Sequence, residues 1–399
     1  MNAKLAERLG LFSSIACAAL LGGCGAPPSR TTTAVRALSL PQIDGTAAYP
    51  RFHADAQGVL LSWMEDGVRL RVAGIENEAW NDPRTVVEGD DLLSNWADFP
   101  SVARDGSGRW IAHWLRKRPS VGFVYDAWFA VSVDEGVTWS EATPLHGDDR
   151  DAEHGFVSVV PDRDGFDAFW LDGRQYADDP GEAKMELRHR RWTPAGLGPE
   201  RILDPDVCTC CDTAAVRDAE GLLVAYRGHD DRERRDIRLV RIGIDGEESR
   251  SDAWKDGWII AACPVNGPAL ARHEQRAALA WFTQADERPR VLFSRLEANR
   301  ARTPLIFAEG NAVGRVDVQL WADGTAALSW LERTEDGGAV RVAWLAPDDR
   351  VLDVVTAGPA SAGRESGFPR SARVGNELWL AWTDPDEPSG LRAVVVSSP

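Results

Sequence analysis

Four cysteines that fall into two short segments are the side chains with the clearest capacity for chemistry. Cys208, Cys210 and Cys211 stand together, and Cys263 follows about fifty residues later. An even number of cysteines in an exported chain favours disulfides, and four cysteines allow three pairings, between which the sequence does not choose. As thiolates, together with His154, they would instead bind copper(I) or zinc. A reactive thiol is the third interpretation, and no other cofactor is required.

Charged residues supply a second set of candidates. The side chains that could bind or react with an acidic ligand are Arg51, Arg174, Arg315, Arg370, Asp172 and Tyr226. Guanidinium groups that converge hold a carboxylate or phosphate through paired hydrogen bonds. The alternative is that these arginines pair with nearby Asp and Glu residues. Tyr226 is either a core residue or a nucleophile, and a nucleophile would need a carboxylate base such as Glu274 or Asp236.

The charge balance excludes several classes of partner. The 399 residues carry a net charge of −17. Nucleic acids and anionic membrane surfaces both require basic patches, so neither is an expected partner. An acidic small molecule or glycan could still bind at a local group of arginines. We expect a monomer.

The N-terminus has the pattern of an export signal. Residues 1–23 combine an early basic region, a short apolar run and small residues at their end, which is typical of a secretory signal. Leu21-Gly22-Gly23-Cys24 resembles the bacterial lipobox, which implies lipidation of Cys24 and a linker over 24–34. The protein would then be anchored by lipid in the bacterial cell envelope, on the periplasmic or outer-membrane face. The alternative is ordinary cleavage that leaves Cys24 free.

One short apolar segment that ends in an aromatic residue recurs along the rest of the chain. Its terminal aromatics are Trp63, Trp114, Trp170, Tyr226, Trp281, Trp330 and Trp382, at intervals of 49 to 56 residues. Each copy follows another strand-like segment and a polar turn, and no helical periodicity separates the copies. A unit of three or four strands about every 50 residues predicts the blades of an all-β propeller over 35–399. Seven blades fit best, six are the alternative, and two packed sandwich domains are the other architecture considered.

The two ends of the chain predict how the propeller closes. The last repeat stops after its third strand at 391–395, and an unmatched strand lies at 35–40 before the first repeat. Pairing between these segments would complete one blade and remove an exposed edge.

An eight-residue motif carries a family resemblance. Ser132-Val133-Asp134-Glu135-Gly136-Val137-Thr138-Trp139 matches the Asp-box pattern, and the chain therefore resembles the sialidase-like, or BNR-repeat, propellers. The resemblance implies an exo-sialidase, in which three arginines bind a carboxylate, a Tyr–Glu pair supplies the nucleophile and an Asp handles protons. Arg51 lies in Tyr49-Pro50-Arg51-Phe52, which only partly matches the family's first arginine element.

The repeat brings residues that are distant in sequence to one end of the channel. Residues that precede each innermost strand, and those after each second strand, share this end. Two hypotheses follow. A glycosidase predicts three arginines around one carboxylate with a Tyr–Glu pair beside them. A binding propeller predicts bonded or metal-spaced sulfurs and arginines that rim carboxylates already neutralise.

Overall fold

The structure is a computed structural model and describes residues 33–76, 79–120, 124–178 and 184–399. These residues form 31 strands, one short helix, α1 (Arg174–Asp178), and one 3₁₀ turn (Ala285–Glu287). The predicted signal segment 1–23 and Cys24 lie outside the described residues. Among the residues described, no helix is long and apolar enough to cross a bilayer.

Seven antiparallel sheets contain all of these strands, so the described fold is a seven-bladed β-propeller. The strands are β1 (Val35–Ala37), β2 (Ala47–Asp55), β3 (Gly58–Glu65), β4 (Arg69–Glu76), β5 (Ala79–Trp80), β6 (Arg84–Glu88), β7 (Ser101–Arg104), β8 (Trp110–Lys117), β9 (Tyr125–Ser132), β10 (Thr143–Pro144), β11 (His154–Pro161), β12 (Phe166–Asp172), β13 (Met185–Thr193), β14 (Gly196–Leu197), β15 (Arg201–Val207), β16 (Ala214–Asp218), β17 (Gly221–Arg227), β18 (Ile237–Gly243), β19 (Glu248–Trp254), β20 (Ala269–His273), β21 (Arg276–Thr283), β22 (Arg290–Glu297), β23 (Arg300–Ala301), β24 (Leu305–Phe307), β25 (Ala312–Leu320), β26 (Ala326–Thr334), β27 (Gly337–Leu345), β28 (Val351–Ala360), β29 (Arg370–Val374), β30 (Glu377–Thr383) and β31 (Leu391–Ser397).

The innermost strands of the seven blades form a closed ring. They are β2, β7, β11, β16, β20, β25 and β29, and each contacts the next, with β29 returning to β2. Because all seven run in the same direction, their first residues lie together at one end of the channel, which we call the mouth. A cavity of about 330 Å³ inside the ring is lined by Phe52, His53, Gln319 and Arg373, among others.

The recurring aromatic segments are the second strands of the blades. Each one is covered on both faces by neighbouring blades, so its sequence is a nearly continuous apolar run instead of an alternating one. Five of the seven terminal aromatics are tryptophans that are at most 2% exposed and are among the largest fully buried side chains: Trp63, Trp170, Trp281, Trp330 and Trp382. Burial of such large side chains supplies most of the energy that holds the blades together. The prediction of seven copies is confirmed, and the six-bladed and two-sandwich alternatives are excluded.

The predicted closure of the ring is also present. β1 pairs antiparallel with β31, with Val35 opposite Val396 and Ala37 opposite Val394. The N-terminal strand therefore becomes the outer strand of the blade that the C-terminus builds. Covering β31 in this way leaves less unpaired strand edge exposed.

The Asp-box segment forms the turn between β9 and β10, at the end of the propeller opposite the mouth. The Asp134 carboxylate accepts hydrogen bonds from the backbone N–H of Thr138 at 2.9 Å and from its hydroxyl at 2.6 Å. Gly136 has φ of 82°, and a Cβ there would lie 2.9 Å from the Trp110 ring. The motif therefore has a structural role, far from the residues considered next.

Candidate functional site

Backbone irregularities at the mouth decide which side chains reach its centre. Tyr49 in β2, Phe156 in β11 and Arg315 in β25 each have φ between 51° and 56° and interrupt the pairing with the second strand. Such bulges change the direction of the following side chains and are frequent next to active sites. Residues two positions after each bulge, Arg51 among them, then occupy equivalent places in the ring.

Two of the four predicted arginines come together at the mouth. Arg370 donates a hydrogen bond to Asp212 Oδ2, and Arg51 Nη1 lies 3.9 Å from the same oxygen. Both guanidinium groups lie over the ring of Phe99, with Cζ at 5.0 Å and 5.7 Å from its centroid. Burial, together with the positive charge of Arg370, lowers the pKa of Arg51 to about 10. One carboxylate is therefore shared by two arginines.

A tyrosine between two carboxylates lies beside this pair. Tyr125 Oη is 2.9 Å from Asp98 Oδ2 and 2.8 Å from Glu153 Oε1. Burial raises the pKa of Asp98 to about 8, so its carboxyl group holds a proton at neutral pH. A hydroxyl has one proton to donate, and a protonated Asp98 can donate to Tyr125 while Tyr125 donates to Glu153. Gly155 permits this approach, since a Cβ there would collide with Asp98 Oδ2.

The arginine pair and the tyrosine group form one electrostatic unit. When it is ionised, Asp98 raises the pKa of Arg51, and the negative charge of Asp212 raises the pKa of Asp98. Asp98 also immediately precedes Phe99, on which both arginines rest. We call the six residues of this unit the mouth cluster: Arg51, Asp98, Tyr125, Glu153, Asp212 and Arg370. Glu153 additionally lines a cavity of about 350 Å³ together with Tyr176, Met185 and Thr209.

The structure does not bring the other two arginines into the mouth cluster. Arg315 donates to the backbone oxygen of Gly367 at 2.8 Å and lies over Trp96, and burial lowers its pKa to about 10. Arg174 makes two hydrogen bonds to Asp172, both 2.7 Å long, and a third to Glu200. Arg315 Cζ also lies 5.7 Å from the centroid of Phe368, over which Arg370 lies, so Arg315 is beside the pair. Of the four predicted arginines, however, only Arg51 and Arg370 lie within 4 Å of Asp212.

Tyr226 lies between two blades and not in the mouth cluster. It is 1% exposed, and its hydroxyl donates to Asp204 Oδ2 at 2.7 Å. The charged groups around it are Asp204, Arg238 and Arg250, and burial raises its pKa. The suggested bases Glu274 and Asp236 are not among its hydrogen-bond partners. A catalytic role for Tyr226 therefore stays a prediction, and neither of the two suggested bases is hydrogen-bonded to its hydroxyl.

The cysteines come together as one disulfide and one close pair. Cys210 and Cys263 are bonded and join the segments before β16 and β20, whereas Cys208 Sγ and Cys211 Sγ lie 2.8 Å apart. All but Cys263 of these residues are buried. Burial opposes ionisation, but the contact with Cys211 and the positive charge of Arg227 lower the pKa of Cys208 to about 7. The sulfurs of Cys208, Cys210 and Cys211 lie within 4.8 Å of one another, and Cys263 is bonded to Cys210, so the four sulfurs form one group.

His154 belongs to a different group. Its ring nitrogens face carboxylates, with Nδ1 3.3 Å from Asp126 and Nε2 3.5 Å from Asp148. The sulfur group and the histidine group are separate clusters in the part of the chain that the structure describes. The sequence-based grouping of His154 with the thiols is therefore wrong.

Sequence reasoning missed Tyr125 and Glu153. Neither lies in the repeated strand pair, because Tyr125 begins a third strand and Glu153 precedes a first strand. It also overlooked that Cys208 and Cys211 have the Cys-x-x-Cys spacing. The signal that could have identified Tyr125 and Glu153 was their position, because Tyr125 begins a strand at the mouth end and Glu153 immediately precedes one.

Comparisons with known proteins give the following likenesses. No protein-family model matches the chain, and no curated protein matches it. Among solved structures, Trypanosoma rangeli sialidase in complex with the inhibitor DANA is 11% identical with a TM-score of 0.49, and the match covers 91% of this chain and 59% of that one. The intramolecular trans-sialidase from Ruminococcus gnavus is 10% identical with a TM-score of 0.44, covering 88% and 94%.

A protein of unknown function from Dyadobacter fermentans is 11% identical with a TM-score of 0.48, covering 92% of this chain and 99% of that one. The present chain thus spans about three fifths of the trypanosomal enzyme. At these identities the likeness concerns the arrangement of strands and not the chemistry. The seven-bladed fold itself rests on the seven sheets of this chain.

Proposed function

We propose that the mouth of this propeller binds an acidic glycan and hydrolyses its terminal sugar. The observation that carries the proposal is the Tyr125 hydroxyl, held between Asp98 and Glu153 and next to the Arg51–Arg370 pair. Paired guanidinium groups bind carboxylates, and a tyrosine with a carboxylate base is an activated nucleophile. Both parts of a glycosidase for acidic sugars are therefore adjacent.

Binding would begin at Arg51. The side chain of Arg51 is a quarter exposed, and its Nη1 lies beyond hydrogen-bond distance of Asp212. Arg370 Nε has no hydrogen-bond partner among the described residues. A ligand carboxylate could therefore take donors from both arginines and compete with Asp212 for them.

The chemical step would use the three remaining groups. Tyr125 Oη would bond to the anomeric carbon while its proton passes to Glu153. The glycosidic oxygen would leave with the proton of Asp98, whose carboxyl group is protonated at neutral pH. Water would then attack the anomeric carbon and give a proton to Asp98, while the bond to Tyr125 breaks and the Tyr125 oxygen recovers its proton from Glu153.

The test compares two tyrosines that each contact a carboxylate. Wild type, Tyr125→Phe and Tyr226→Phe are assayed with fluorogenic sialosides and glucuronides. Loss of the nucleophile in Tyr125→Phe should lower kcat at least about 100-fold. Tyr226→Phe should remain within a few-fold of wild type. Turnover that survives in Tyr125→Phe and falls in Tyr226→Phe would transfer the role to Tyr226.

A binding propeller without catalysis is the second candidate. It is favoured by the burial of Tyr125, which is 2% exposed, and by the ion pair between Arg370 and Asp212. The copper or zinc site predicted at the cysteines would belong to this alternative. If no glycoside is hydrolysed but sialic acid binds by calorimetry, and Arg51→Ala weakens that binding at least about tenfold, the binding function holds.

We also propose that the protein is exported and attached to the cell envelope through Cys24. The support is the sequence of residues 1–24. Labelled palmitate should be incorporated by the wild-type chain expressed in a bacterium and not by Cys24→Ser. Equal labelling of both, or of neither, would contradict lipidation at this residue.

A further inference from the structure

A second group of polar side chains at the mouth end has no part in the proposed hydrolysis. The geometry points to a binding site for a divalent transition-metal ion formed by Asp126, His146 and His154, with zinc as the ion that the three ligands match. We call these residues the histidine cluster. They come from β9, from the loop before β11, and from the first residue of β11.

Two distances between the ligand atoms match those of a tetrahedral site. His146 Nε2 and His154 Nδ1 lie 3.2 Å and 3.3 Å from the same oxygen, Asp126 Oδ1. Zinc binds nitrogen and oxygen at about 2.0–2.1 Å, so two ligands of a tetrahedral ion are about 3.3 Å apart. The two imidazole rings are stacked, parallel within 6° with centroids 3.7 Å apart, so one ring must rotate about its Cβ–Cγ bond before both nitrogens direct their lone pairs at one ion.

The absence of hydrogen bonds from described residues at these atoms favours a metal site over a hydrogen-bonded cluster. Asp126 Oδ1, His146 Nε2 and His154 Nδ1 are buried and make no hydrogen bond with any described residue, although both nitrogens lie within 3.3 Å of the oxygen. Leaving buried polar atoms unpaired is unfavourable. Metal ligands point at the ion and not at each other, and an ion would satisfy all three atoms together.

Surrounding groups hold the ligands in the way that metal sites require. Arg118 donates to the other oxygen of Asp126 at 2.8 Å, which leaves Oδ1 free for an ion. His154 Nε2 lies 3.5 Å from Asp148 Oδ2, and neither atom makes a hydrogen bond with a described residue, so rotation of the ring on binding an ion would have to close this contact. A carboxylate on the far nitrogen of a histidine ligand fixes the ring and its tautomer.

The donor set indicates the class of ion. Two imidazoles and one carboxylate suit zinc or a neighbouring first-row ion, whereas calcium and magnesium prefer oxygen ligands alone. The side chains of His146 and His154 are 1% and 0% exposed, so the ion would be enclosed. It would join the third strand of one blade to the first strand of the next.

The competing arrangement is a cluster without metal. In it His146 Nδ1 accepts a hydrogen bond from the backbone N–H of Asp148 at 3.3 Å and keeps its proton on Nε2. That proton would then be shared with Asp126. The two arrangements differ in one measurable respect, which is the zinc content of the purified protein.

The experiment must separate the histidine cluster from the cysteines, which could also bind zinc. The purified chain is stripped with a chelator, reloaded with zinc and dialysed, and zinc is measured by mass spectrometry. Cys208→Ala/Cys211→Ala should retain one zinc per chain that His146→Gln, made in the same double-alanine background, loses. No zinc in the double cysteine variant, or undiminished zinc after His146→Gln, would overturn the proposal.

Two further variants test whether a loss of zinc reflects a folding defect instead of a lost ligand. His189→Gln changes another buried histidine, which has a complete hydrogen bond of 2.7 Å to Asp167, and it should retain the zinc. Asp148→Asn keeps all three ligands and should weaken zinc affinity about 10–100-fold. Zinc should raise the melting temperature of the wild type but much less that of Asp148→Asn at the same concentration. Equal zinc-induced shifts in both would count against the site.

Discussion

Asp98 is a residue of the mouth cluster whose environment departs far from that of a free carboxyl group. It is 3% exposed and contacts Tyr125, Asp212 lies nearby, and burial raises its pKa to about 8. A carboxyl group with a raised pKa in the folded state favours folding at low pH and loses that contribution as the pH rises through the folded pKa. This proton should therefore contribute to the pH dependence of stability, together with that of Glu153, whose pKa burial raises to about 7.

We expect Asp98→Asn to flatten the pH dependence of stability. Between about pH 5 and pH 8 the wild type should lose up to about 1.4 kcal/mol of unfolding free energy per pH unit relative to the variant, because the substituted amide cannot ionise. Urea denaturation at pH 5.5, 7 and 8.5 measures the difference. Parallel pH profiles for the two proteins would show that Asp98 is already ionised at pH 7.

For single residues, the sequence predicted part of the arrangement of the arginines. Arg51 and Arg370 come together because each lies near the start of an innermost strand. Arg315 lies beside Arg370 over Phe368 and does not reach Asp212, because it occupies the bulge itself at φ of 51° and its side chain turns toward Trp96. A bulge moves a side chain by one position and leaves no clear sequence signal, so the repeat alone could not distinguish these arginines.

At the scale of single elements, a substitution in the Asp-box turn measures how much one tight turn contributes to the unfolding free energy. Gly136→Ala combines a left-handed backbone with a Cβ 2.9 Å from Trp110, and we expect it to lower the unfolding free energy by about 1–3 kcal/mol. Val137→Ala is the control, because Val137 is 65% exposed in the same turn. Since the turn lies opposite the mouth, ligand binding by the folded variant should not change.

The disulfide between two blades gives a second prediction for an element. Cys210 and Cys263 are 53 residues apart, and a bond across such a loop stabilises by about 2–4 kcal/mol. Cys210→Ala/Cys263→Ala should therefore reduce the unfolding free energy by that amount under oxidising conditions. The pair Cys208→Ala/Cys211→Ala is the matched control, and an equal loss in both would mean that the bond does not stabilise the fold.

Elements were more predictable than sites for a physical reason. The second strand of each blade is buried on both faces, so its composition is tightly restricted and repeats seven times. The third strands and the mouth loops are restricted only by the particular contacts that they make. Tyr125 and His146 lie in such segments, and no period in the sequence marks them.

For the whole molecule, closure of the ring depends on three residues of β1. Leu38 N–H donates to Ala393 at 3.0 Å, and Ser397 N–H donates to Ala34 at 2.9 Å. Hydrogen-bonded pairs alternate in an antiparallel ladder, so Arg36, opposite Val395, occupies the hydrogen-bonding position between them. This strand is the contact through which the N-terminal segment holds the last blade in the ring.

Arg36→Pro should therefore open the propeller more than its local contacts suggest. Proline removes the N–H from the middle of a three-residue strand and disfavours continued pairing. We expect a loss of about 2–3 kcal/mol of unfolding free energy and faster hydrogen exchange throughout β31. Arg36→Ala separates the two contributions, because it removes only the exposed ion pair with Glu377, worth at most about 1 kcal/mol. If Arg36→Pro and Arg36→Ala exchanged at the same rate along β31, the closure would have to be carried by side-chain packing between blades and not by the ladder of β1.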